Sequence, residues 1–440
     1  MFKSLKISDQ QLQDIIKKGS IVFLFYALNL VLVYFISIFI SKYYGPEVYG
    51  RYSIIKSLIL ILIIIATLGL NTLAIKLSSN TNHYNEGVFK SDFFNKSYLI
   101  ILFSSIIISV FIFLKKKWIA LYIFKDIELE KYLTIFPFLF IAAVFLNYNS
   151  NLFKGQGRFL LFSILSSFLN SLLLFLAILV VYHFYSKDEV FLMISYLVSI
   201  LISFILSTYY AFPLRRDSVL NKTSIKKLIS TSFPMMLSSS MIYIIFSIDI
   251  LMLGFFDTSK NVGIYRIITQ IASINAIFVI AFGTVIGPKI SKLYSEKKVK
   301  EFKNIIKTSS KLIFFITLPI LISILLFSTK ILLFFGTDYL KGLYALILLS
   351  ISQFFFAITG LVDIILNMTG HQKFFGKITT VTAVLNLVFN MLLIPKYGML
   401  GAAIATGFSI VLTNIFAIVY IYKKLKVLSV YLPFLGNKTY

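Results

Sequence analysis

Four charged side chains interrupt otherwise apolar stretches of the sequence, and they are the first candidates for chemistry. They are Lys56, Asp249, Arg266 and Asp363. A charge at the centre of a membrane helix costs roughly 2.5–3.5 kcal/mol on insertion scales, so such residues usually have a function. Lysine and arginine can attract an anionic solute, and an aspartate can carry a proton or a sodium ion.

Each of these charges also has a structural interpretation. Asp249 and Arg266 could form an ion pair across the short segment 256–263. Asp363 could lie near the membrane surface beside Lys373 or Lys377. A long side chain such as that of a lysine can also extend to the interface. The sequence leaves these alternatives open.

Amide side chains recur in the same apolar stretches. They could hydrogen-bond sugar hydroxyls, although bonding between neighbouring helices is the more frequent role of any single amide in a membrane. The amides that we consider for solute contact are Asn29, Gln270 and Asn275.

No motif of an enzyme is present. The histidines at 83, 183 and 371 are scattered without metal-ligand spacing, there is no cysteine, and no phosphate-binding loop motif occurs. We therefore expect no catalytic residue, no bound metal and no cofactor.

The composition indicates the elements that must position these residues. The chain has 440 residues, of which 59% are hydrophobic and 13% charged, whereas about a quarter of a soluble domain is charged. The sequence therefore predicts an all-α integral membrane protein, because a spanning helix needs about 20 mostly apolar residues. Twelve stretches qualify, and a short surface helix precedes them: 20–41, 53–75, 97–114, 133–153, 159–183, 190–213, 232–255, 264–287, 309–328, 343–366, 376–394 and 400–422.

The distribution of basic residues predicts the orientation. With the N-terminus in the cytoplasm, about two thirds of the 42 Lys and Arg residues fall on the cytoplasmic side, so both termini are expected there. The net charge of +25 then belongs to loops that meet anionic lipid, and nucleic acid is not an expected partner. One outward loop contradicts the bias, with lysines at 115, 116, 117, 125 and 131.

Two short matches indicate that the second half repeats the first. Gly50, in VYGRY, corresponds to Gly263, in VGIY, 213 positions later. The stretch LFKGQGRF at 152–159 was aligned with MTGHQKF at 368–374, which pairs Gly155 with Gly370. We expect an N-lobe (1–213), a cytoplasmic linker (214–231) and a C-lobe (232–440). Six spans in each lobe would place a pseudo-twofold axis along the membrane normal.

Five stretches carry a resemblance to a known family: KYYGPEVYGRYSIIKS, LGLNTLAIKL, DILMLGFFDTSKNVGIYRI, PKISKLYSE and NLVFNMLLIPKYGMLGAAIATGFSIVLTN. The whole chain resembles the polysaccharide-exporter branch of the multidrug/oligosaccharidyl-lipid/polysaccharide (MOP) superfamily, and within it the Wzx-type flippases of O-antigen or capsule repeat units. The resemblance implies two six-helix lobes around a cavity, as in the related MATE and MurJ transporters. It also implies export of an undecaprenyl-diphosphate-linked oligosaccharide across a bacterial cytoplasmic membrane by alternating access.

The resemblance gives the candidate residues their implied roles. The expected cavity residues are Lys56, Arg266, Asp249, Asn29, Gln270 and Asn275. Cations expected to meet the diphosphate on the cytoplasmic side are Lys76, Lys154, Arg158, Lys289 and Lys373, although they could equally be ordinary positive-inside residues. Asp363 is a possible site of ion coupling.

The partners implied are the lipid-linked glycan, membrane lipid and a polysaccharide polymerase with chain-length machinery. The alternatives are a cation-coupled drug antiporter of the MATE type and a flippase for lipid II, the peptidoglycan precursor. A membrane-embedded glycan polymerase or ligase is a weaker alternative, because such enzymes usually have a large external loop and none fits here.

Overall fold

The computed structural model describes residues 9–79, 87–211 and 224–431, and in these ranges every regular element is helical. The helices are α1 (Asp9–Tyr43), α2 (Gly45–Thr67), α3 (Leu70–Ser79), α4 (Gly87–Leu114), α5 (Lys116–Trp118), α6 (Leu129–Gly155), α7 (Phe159–Ser163), α8 (Leu169–Phe184), α9 (Glu189–Ala211), α10 (Ile225–Phe256), α11 (Ser259–Ala272), α12 (Ile274–Ser295), α13 (Val299–Phe335), α14 (Leu343–Ile358), α15 (Val362–Met368), α16 (Gln372–Tyr397) and α17 (Met399–Leu425). Two π-helical turns, Ile119–Ile123 and Ile164–Phe168, and one 3₁₀ turn, Thr337–Gly342, join some of them.

The all-α membrane architecture is confirmed. Within the described residues, ten segments are long and apolar enough to cross a membrane, and an eleventh is formed by α11 with the first part of α12, which are bent by 45°. The predicted seventh span, 232–255, lies on α10. The last part of α10, Ser247–Phe256, is apolar but shorter than a complete span. The twelve predicted spans thus agree approximately with the helices observed.

Two spans are interrupted where the sequence predicted continuity. The second span was expected to cover 53–75, but α2 ends at Thr67 because Leu68 and Gly69 adopt left-handed backbone angles, with φ of 48° and 77°. The tenth span, expected at 343–366, breaks at Gly360, whose φ is 80°. The α-carbon of Gly360 faces the Ser310 hydroxyl so closely that a Cβ there would lie 2.6 Å from its oxygen. Glycine is favoured at such positions because it lacks the Cβ that makes positive φ unfavourable.

The beginning of the chain also differs from expectation. A short surface helix was expected before the first span at 20–41, but α1 is continuous from Asp9 to Tyr43, and Val22–Tyr43 is its apolar part. Residues 1–8 lie outside the described ranges.

The chain separates into two compact units. The first contains Leu24–Gly263, and the second contains Ile264–Tyr440 with Met1–Phe23. The first unit extends beyond the predicted N-lobe because α10 packs against α2 and α3. The predicted lobe boundaries, 1–213 and 232–440, follow the repeat in the sequence and remain a prediction.

Each unit has its own core. In the first, α6 is the central helix and packs against α2, α3, α4 and α9. Large aromatic side chains fill its surroundings, with Tyr132, Phe136, Phe140, Tyr148 and Phe153 all fully buried. In the second unit, aliphatic side chains of α12, α13, α15 and α17 form the core, including Ile290, Ile313, Ile365 and Ile421. These two cores hold the candidate residues described next.

A tight reversal joins the last two spans. Gly398 has a positive φ of 54°, and α17 begins at the next residue. The helix before it continues past Pro395 to Tyr397, three residues beyond the predicted end at 394. A Cβ at Gly401 would lie 2.3 Å from the carbonyl oxygen of Leu393, so glycine permits close packing of α17 against α16.

Candidate functional site

The helices α2 and α11 cross with their backbones in contact, inside the first unit. A Cβ on Gly50 would lie 1.7 Å from the carbonyl oxygen of Ser259, and a Cβ on Gly263 would lie 1.9 Å from that of Pro46. Any side chain would therefore force the two backbones apart. Pro46 and Ser259 are separated by 213 positions, as are Gly50 and Gly263. Each repeat therefore contributes the same face to the crossing, in the manner of an isologous contact between two subunits.

A cluster of charged side chains lies beside this crossing. Arg51 donates from Nε to Oδ2 of Asp126 at 2.7 Å and from Nη1 to Oε2 of Glu189 at 2.8 Å. The side chains of Arg51, Asp126 and Glu189 are only 12%, 11% and 12% exposed. The hydroxyl of Ser259 donates to Asp126 Oδ2 at 2.6 Å, and that of Tyr132 donates to Glu189 Oε2 at 2.9 Å. The cluster thus joins the beginnings of α2, α9 and α11 to the connection before α6.

Sequence reasoning missed this cluster. Arg51 follows Gly50, the glycine that recurs in the second half, but it lies in the first turns of α2 rather than in the middle of an apolar run. Its partners are 75 and 138 positions away. The sequence did contain a signal, because Asp126 and Glu189 lie just before or at the start of apolar runs, and a buried arginine needs acidic partners.

The predicted cavity residues are divided between the two units. Lys56 is half-buried on α2, with Nζ 5.7 Å from the centroid of the Tyr52 ring, and Asp249 is buried on α10 in the same unit. Arg266 is half-buried on α11 and belongs to the second unit. The ion pair between Asp249 and Arg266 remains one of two interpretations.

The three candidate amides have different surroundings. Asn29 on α1 accepts a hydrogen bond from the Ser171 hydroxyl at 2.7 Å and so joins α1 to α8. Gln270 is half-buried in the last turn of α11. Asn275, just after the bend between α11 and α12, is fully buried, and neither its amide oxygen nor its amide nitrogen has a hydrogen-bond partner among the described residues. Asn275 is therefore the amide whose polar atoms remain available to a solute or water.

Buried amides elsewhere join helices, as the sequence favoured. Asn149 on α6 accepts a hydrogen bond from the Tyr98 hydroxyl and donates to Ser207 and Thr208 of α9 at 3.1 and 3.2 Å. In the second unit the Thr359 hydroxyl donates to Asn414 at 2.8 Å. These bonds connect α6 to α4 and α9, and α14 to α17.

The predicted cytoplasmic cations are divided between the two units. In the first, a Cβ on Gly155 would lie 2.8 Å from the α-carbon of Ile75, so the end of α6 contacts α3 at the residues that adjoin Lys154 and Lys76 in the sequence. Lys76, Lys154 and the nearby Arg158 are exposed. In the second unit, the exposed residues Lys289 and Lys373 flank the core that contains Ile290 and Phe375.

The turn geometry corrects the alignment of the two halves. Gly157 has a φ of 72°, and the N–H of Arg158 donates to the Phe153 carbonyl at 2.9 Å; Gly370 has a φ of 84°, and the N–H of His371 donates to Leu366 at 2.8 Å. These equivalent turns pair Gly157 with Gly370, so the pairing of Gly155 with Gly370 was wrong by two positions.

A single offset of 213 then relates all the matches. With this offset Arg158 corresponds to His371, Lys56 to Thr269 and Lys76 to Lys289. Of the candidate cations, only Lys76 and Lys289 are therefore equivalent positions of the two halves.

Asp363 is the second residue of α15, directly after the break at Gly360. Among the described residues, its buried Oδ1 atom has no hydrogen-bond partner and Asp363 forms no ion pair. A helix N-terminus favours a negative charge, which gives the carboxylate a structural role beside any role in coupling.

Two protein-family models match the sequence. The model described as "Polysaccharide biosynthesis protein" matches residues 15–294, and the one described as "MatE" matches residues 234–392. The probable low-salt glycan biosynthesis flippase Agl15 of Haloferax volcanii is 26% identical over 168 residues, which are 38% of this chain and 36% of the relative. The capsular polysaccharide biosynthesis protein CapF of Staphylococcus aureus is 29% identical over 245 residues, 54% of this chain and 61% of the relative. The matches thus span less than two thirds of the length of these relatives.

The fold also matches a solved structure. The lipid II flippase MurJ in an inward closed conformation aligns with a TM-score of 0.72 at 15% identity, covering 92% of this chain and 87% of that chain. At this identity the likeness concerns the fold alone.

Proposed function

Because the chain belongs to the polysaccharide biosynthesis protein family, we propose that it is a flippase for undecaprenyl-diphosphate-linked oligosaccharide repeat units. It would carry these units from the cytoplasmic to the outer face of the membrane, for the assembly of O-antigen, capsule or another surface polysaccharide. The proposal depends on one combination: the sequence relatives are named for glycan and capsule biosynthesis, and the fold resembles that of a lipid flippase.

The crossing of α2 and α11 supports alternating access, with the crossing as a gate. Because two glycines bring backbone against backbone, few side chains must rearrange when the helices separate. The bonds of Arg51 to Asp126 and Glu189 lie within the first repeat, whereas Ser259 of the second repeat is joined to them by one hydrogen bond. Opening would break that bond, worth about 1.5–3 kcal/mol for a charged acceptor, and leave the ion pairs intact.

The cargo's diphosphate determines what the path must supply. Phosphate groups crossing hydrocarbon need compensating cations. We propose that Lys56 and Arg266 supply them inside the cavity, with Asp249, Asn29, Gln270 and Asn275 contacting the sugars or positioning the cations. Lys76, Lys154, Arg158, Lys289 and Lys373 would attract the diphosphate at the cytoplasmic surface, where lysine and arginine suit phosphate.

The remaining proposals concern location, coupling and partners. The chain would lie in a bacterial cytoplasmic membrane with both termini in the cytoplasm, as its basic residues indicate. Asp363 would couple transport to a proton or sodium gradient. A polysaccharide polymerase and chain-length machinery would receive the exported units.

Deletion of the gene in the native host tests the cargo. Polyprenyl-linked glycans are extracted from the membranes and weighed by mass spectrometry. Accumulation of complete repeat units on undecaprenyl diphosphate, with loss of surface polysaccharide, supports the proposal. Complementation with Lys56→Ala and with Arg266→Ala tests the cavity; transport by both inserted variants at the normal rate would contradict their role.

The match to the MatE model favours a second candidate, a cation-coupled drug antiporter. Deletion would then leave surface glycan intact and lower tolerance to cationic drugs. Accumulation of the peptidoglycan precursor would instead indicate a lipid II flippase.

A further inference from the structure

A group of lysines and aromatic side chains lies where two spans end. The span Phe93–Leu114 is followed by Lys115, Lys116 and Lys117, and the next span begins at Leu129. Between them, α5 and the π-helical turn Ile119–Ile123 run along the end of the helix bundle. We call Lys115, Lys116, Lys117, Trp118 and Tyr122 the basic–aromatic patch. Its position between two span ends places it at the boundary of the membrane.

The segment 116–124 separates its side chains into two faces. Ile119, Ala120 and Phe124 are 4%, 0% and 5% exposed and pack inward, whereas Trp118 and Tyr122 are 51% and 70% exposed. The Trp118 and Tyr122 rings are stacked, with centroids 6.3 Å apart. Tryptophan and tyrosine prefer the headgroup region, where the ring is partly apolar and the N–H or O–H reaches water.

One of the three lysines of the patch is held in place by neighbouring side chains. Nζ of Lys116 donates to the Thr134 hydroxyl at 3.0 Å and lies 4.7 Å from the centroid of the Phe113 ring. Lys115 and Lys117 are exposed on either side of it. One of the three cations is therefore fixed, and two are free to approach a ligand.

Nearby carboxylates do not neutralise the patch. Asp126 is bound to Arg51, and Glu128 is paired with Lys131 at 2.5 Å. Glu130 is the third acidic residue of the segment 115–131, which also contains five lysines, so the segment keeps a positive excess.

We propose that the basic–aromatic patch is a binding surface for the phosphate headgroups of anionic phospholipid. Stacked aromatic rings at the level of the headgroups, with three cations directly beside them, match a layer of anionic lipid in both polarity and charge. In the proposed orientation this surface meets the outer leaflet, where the positive-inside rule predicts few lysines. A binding role accounts for their presence there. Only the choice of leaflet rests on the proposed function and orientation; the lipid contact does not.

Trp118 makes the contact measurable, because it is the single tryptophan of the chain. The purified full-length protein is reconstituted into phosphatidylcholine vesicles that contain 20 mol% (about one lipid in five) brominated lipid, a contact quencher of tryptophan fluorescence. The brominated lipid is phosphatidylglycerol in one series and phosphatidylcholine in the other. Each lysine near an anionic surface is worth about a fivefold local enrichment at low salt. We expect brominated phosphatidylglycerol to quench Trp118 at least about twice as strongly as brominated phosphatidylcholine.

A triple variant tests the lysines. Lys115→Gln, Lys116→Gln and Lys117→Gln together should make the two lipids equally effective, as should about 1 M salt, where the screening length falls to roughly 3 Å. Quenching by brominated phosphatidylcholine should stay unchanged and so report that Trp118 remains at the interface. The matched control is Lys297→Gln, Lys298→Gln and Lys300→Gln, an equal change of charge at an exposed connection of the second unit, which should retain the preference.

Three results would overturn the proposal. They are equal quenching by the two lipids in the unaltered protein, equal loss of preference in the control variant, and selective displacement of brominated phosphatidylglycerol by traces of farnesyl diphosphate. The last result would assign the patch to the diphosphate of a transported lipid. The deletion experiment above is read from accumulated glycans, so the two proposals fail separately.

Discussion

Replacing Arg51 by alanine is the most informative perturbation of the first unit. The substitution removes both ion pairs and leaves Asp126 and Glu189 as uncompensated carboxylates, each with a side chain about nine-tenths buried. Removing one member of a buried ion pair typically costs about 3–5 kcal/mol, because the remaining charge has lost its compensation. The hydroxyls of Ser259 and Tyr132 still donate to these carboxylates, so we expect the lower part of that range.

An exposed ion pair close to Asp126 in the sequence provides the matched control. Lys131 and Glu128 are 2.5 Å apart, but their side chains are 52% and 41% exposed. Solvent screens exposed ion pairs and they contribute little, so Lys131→Ala should have little effect on stability. Both substitutions remove one cation, from two buried carboxylates at Arg51 and from one exposed carboxylate at Lys131, so the comparison contrasts a buried cluster with an exposed pair.

Thermal unfolding in detergent measures the difference. On the scale of soluble domains of similar size, about 3 kcal/mol lowers the midpoint by roughly 6–12 °C. Adding Asp126→Asn and Glu189→Gln to Arg51→Ala removes the uncompensated charges and should restore much of this loss. A triple variant as unstable as the single one would refute the reasoning, because the cost would then come from lost packing around the arginine.

Three further substitutions have expected outcomes. Gly50→Ala should open the crossing of α2 and α11, since overpacking costs about 1–3 kcal/mol. The reporter is the rate of thiol labelling at Val262→Cys, a buried position in a chain without other cysteines, and Gly50→Ala should raise that rate by about tenfold or more. The control Gly376→Ala, whose added Cβ has no atom within 4 Å, should leave the rate unchanged. Asn149→Ala should lower stability by about 1–3 kcal/mol, measured by the same thermal unfolding, because buried hydroxyls lose their partner; an unchanged midpoint would contradict the network. Asp363→Asn should abolish the dependence of vesicle transport on an imposed ion gradient, and an unchanged dependence would remove Asp363 from coupling.

Much of the fold could be predicted because its signals are local. A run of 20 apolar residues specifies a spanning helix without knowledge of its neighbours. The last two predicted spans, 376–394 and 400–422, accordingly fall on α16 and α17. The 213-residue repeat was evident from Gly50 and Gly263, whose close packing now gives the physical reason for glycine at both positions.

The errors arose where conformation depends on distant contacts. Residue type does not reveal which of Gly155 and Gly157 adopts a positive φ, so the alignment was displaced by two positions. The left-handed angle of Leu68 has no signal in its own side chain. The cluster around Arg51 required knowledge that Asp126 and Glu189 converge on it in space.

The hydrogen bonds of Asn149 have a consequence for the order in which the chain is built. Several serines of α9 satisfy themselves on their own helix; Ser195 donates to the Phe191 carbonyl and Ser203 to that of Ser199. Such a helix enters lipid without needing a neighbour. Asn149 differs, because its amide nitrogen donates to Ser207 of α9, which is synthesised 58 residues later. During synthesis α6 therefore waits at the translocon or in lipid until α9 arrives and supplies the acceptors for the Asn149 amide nitrogen.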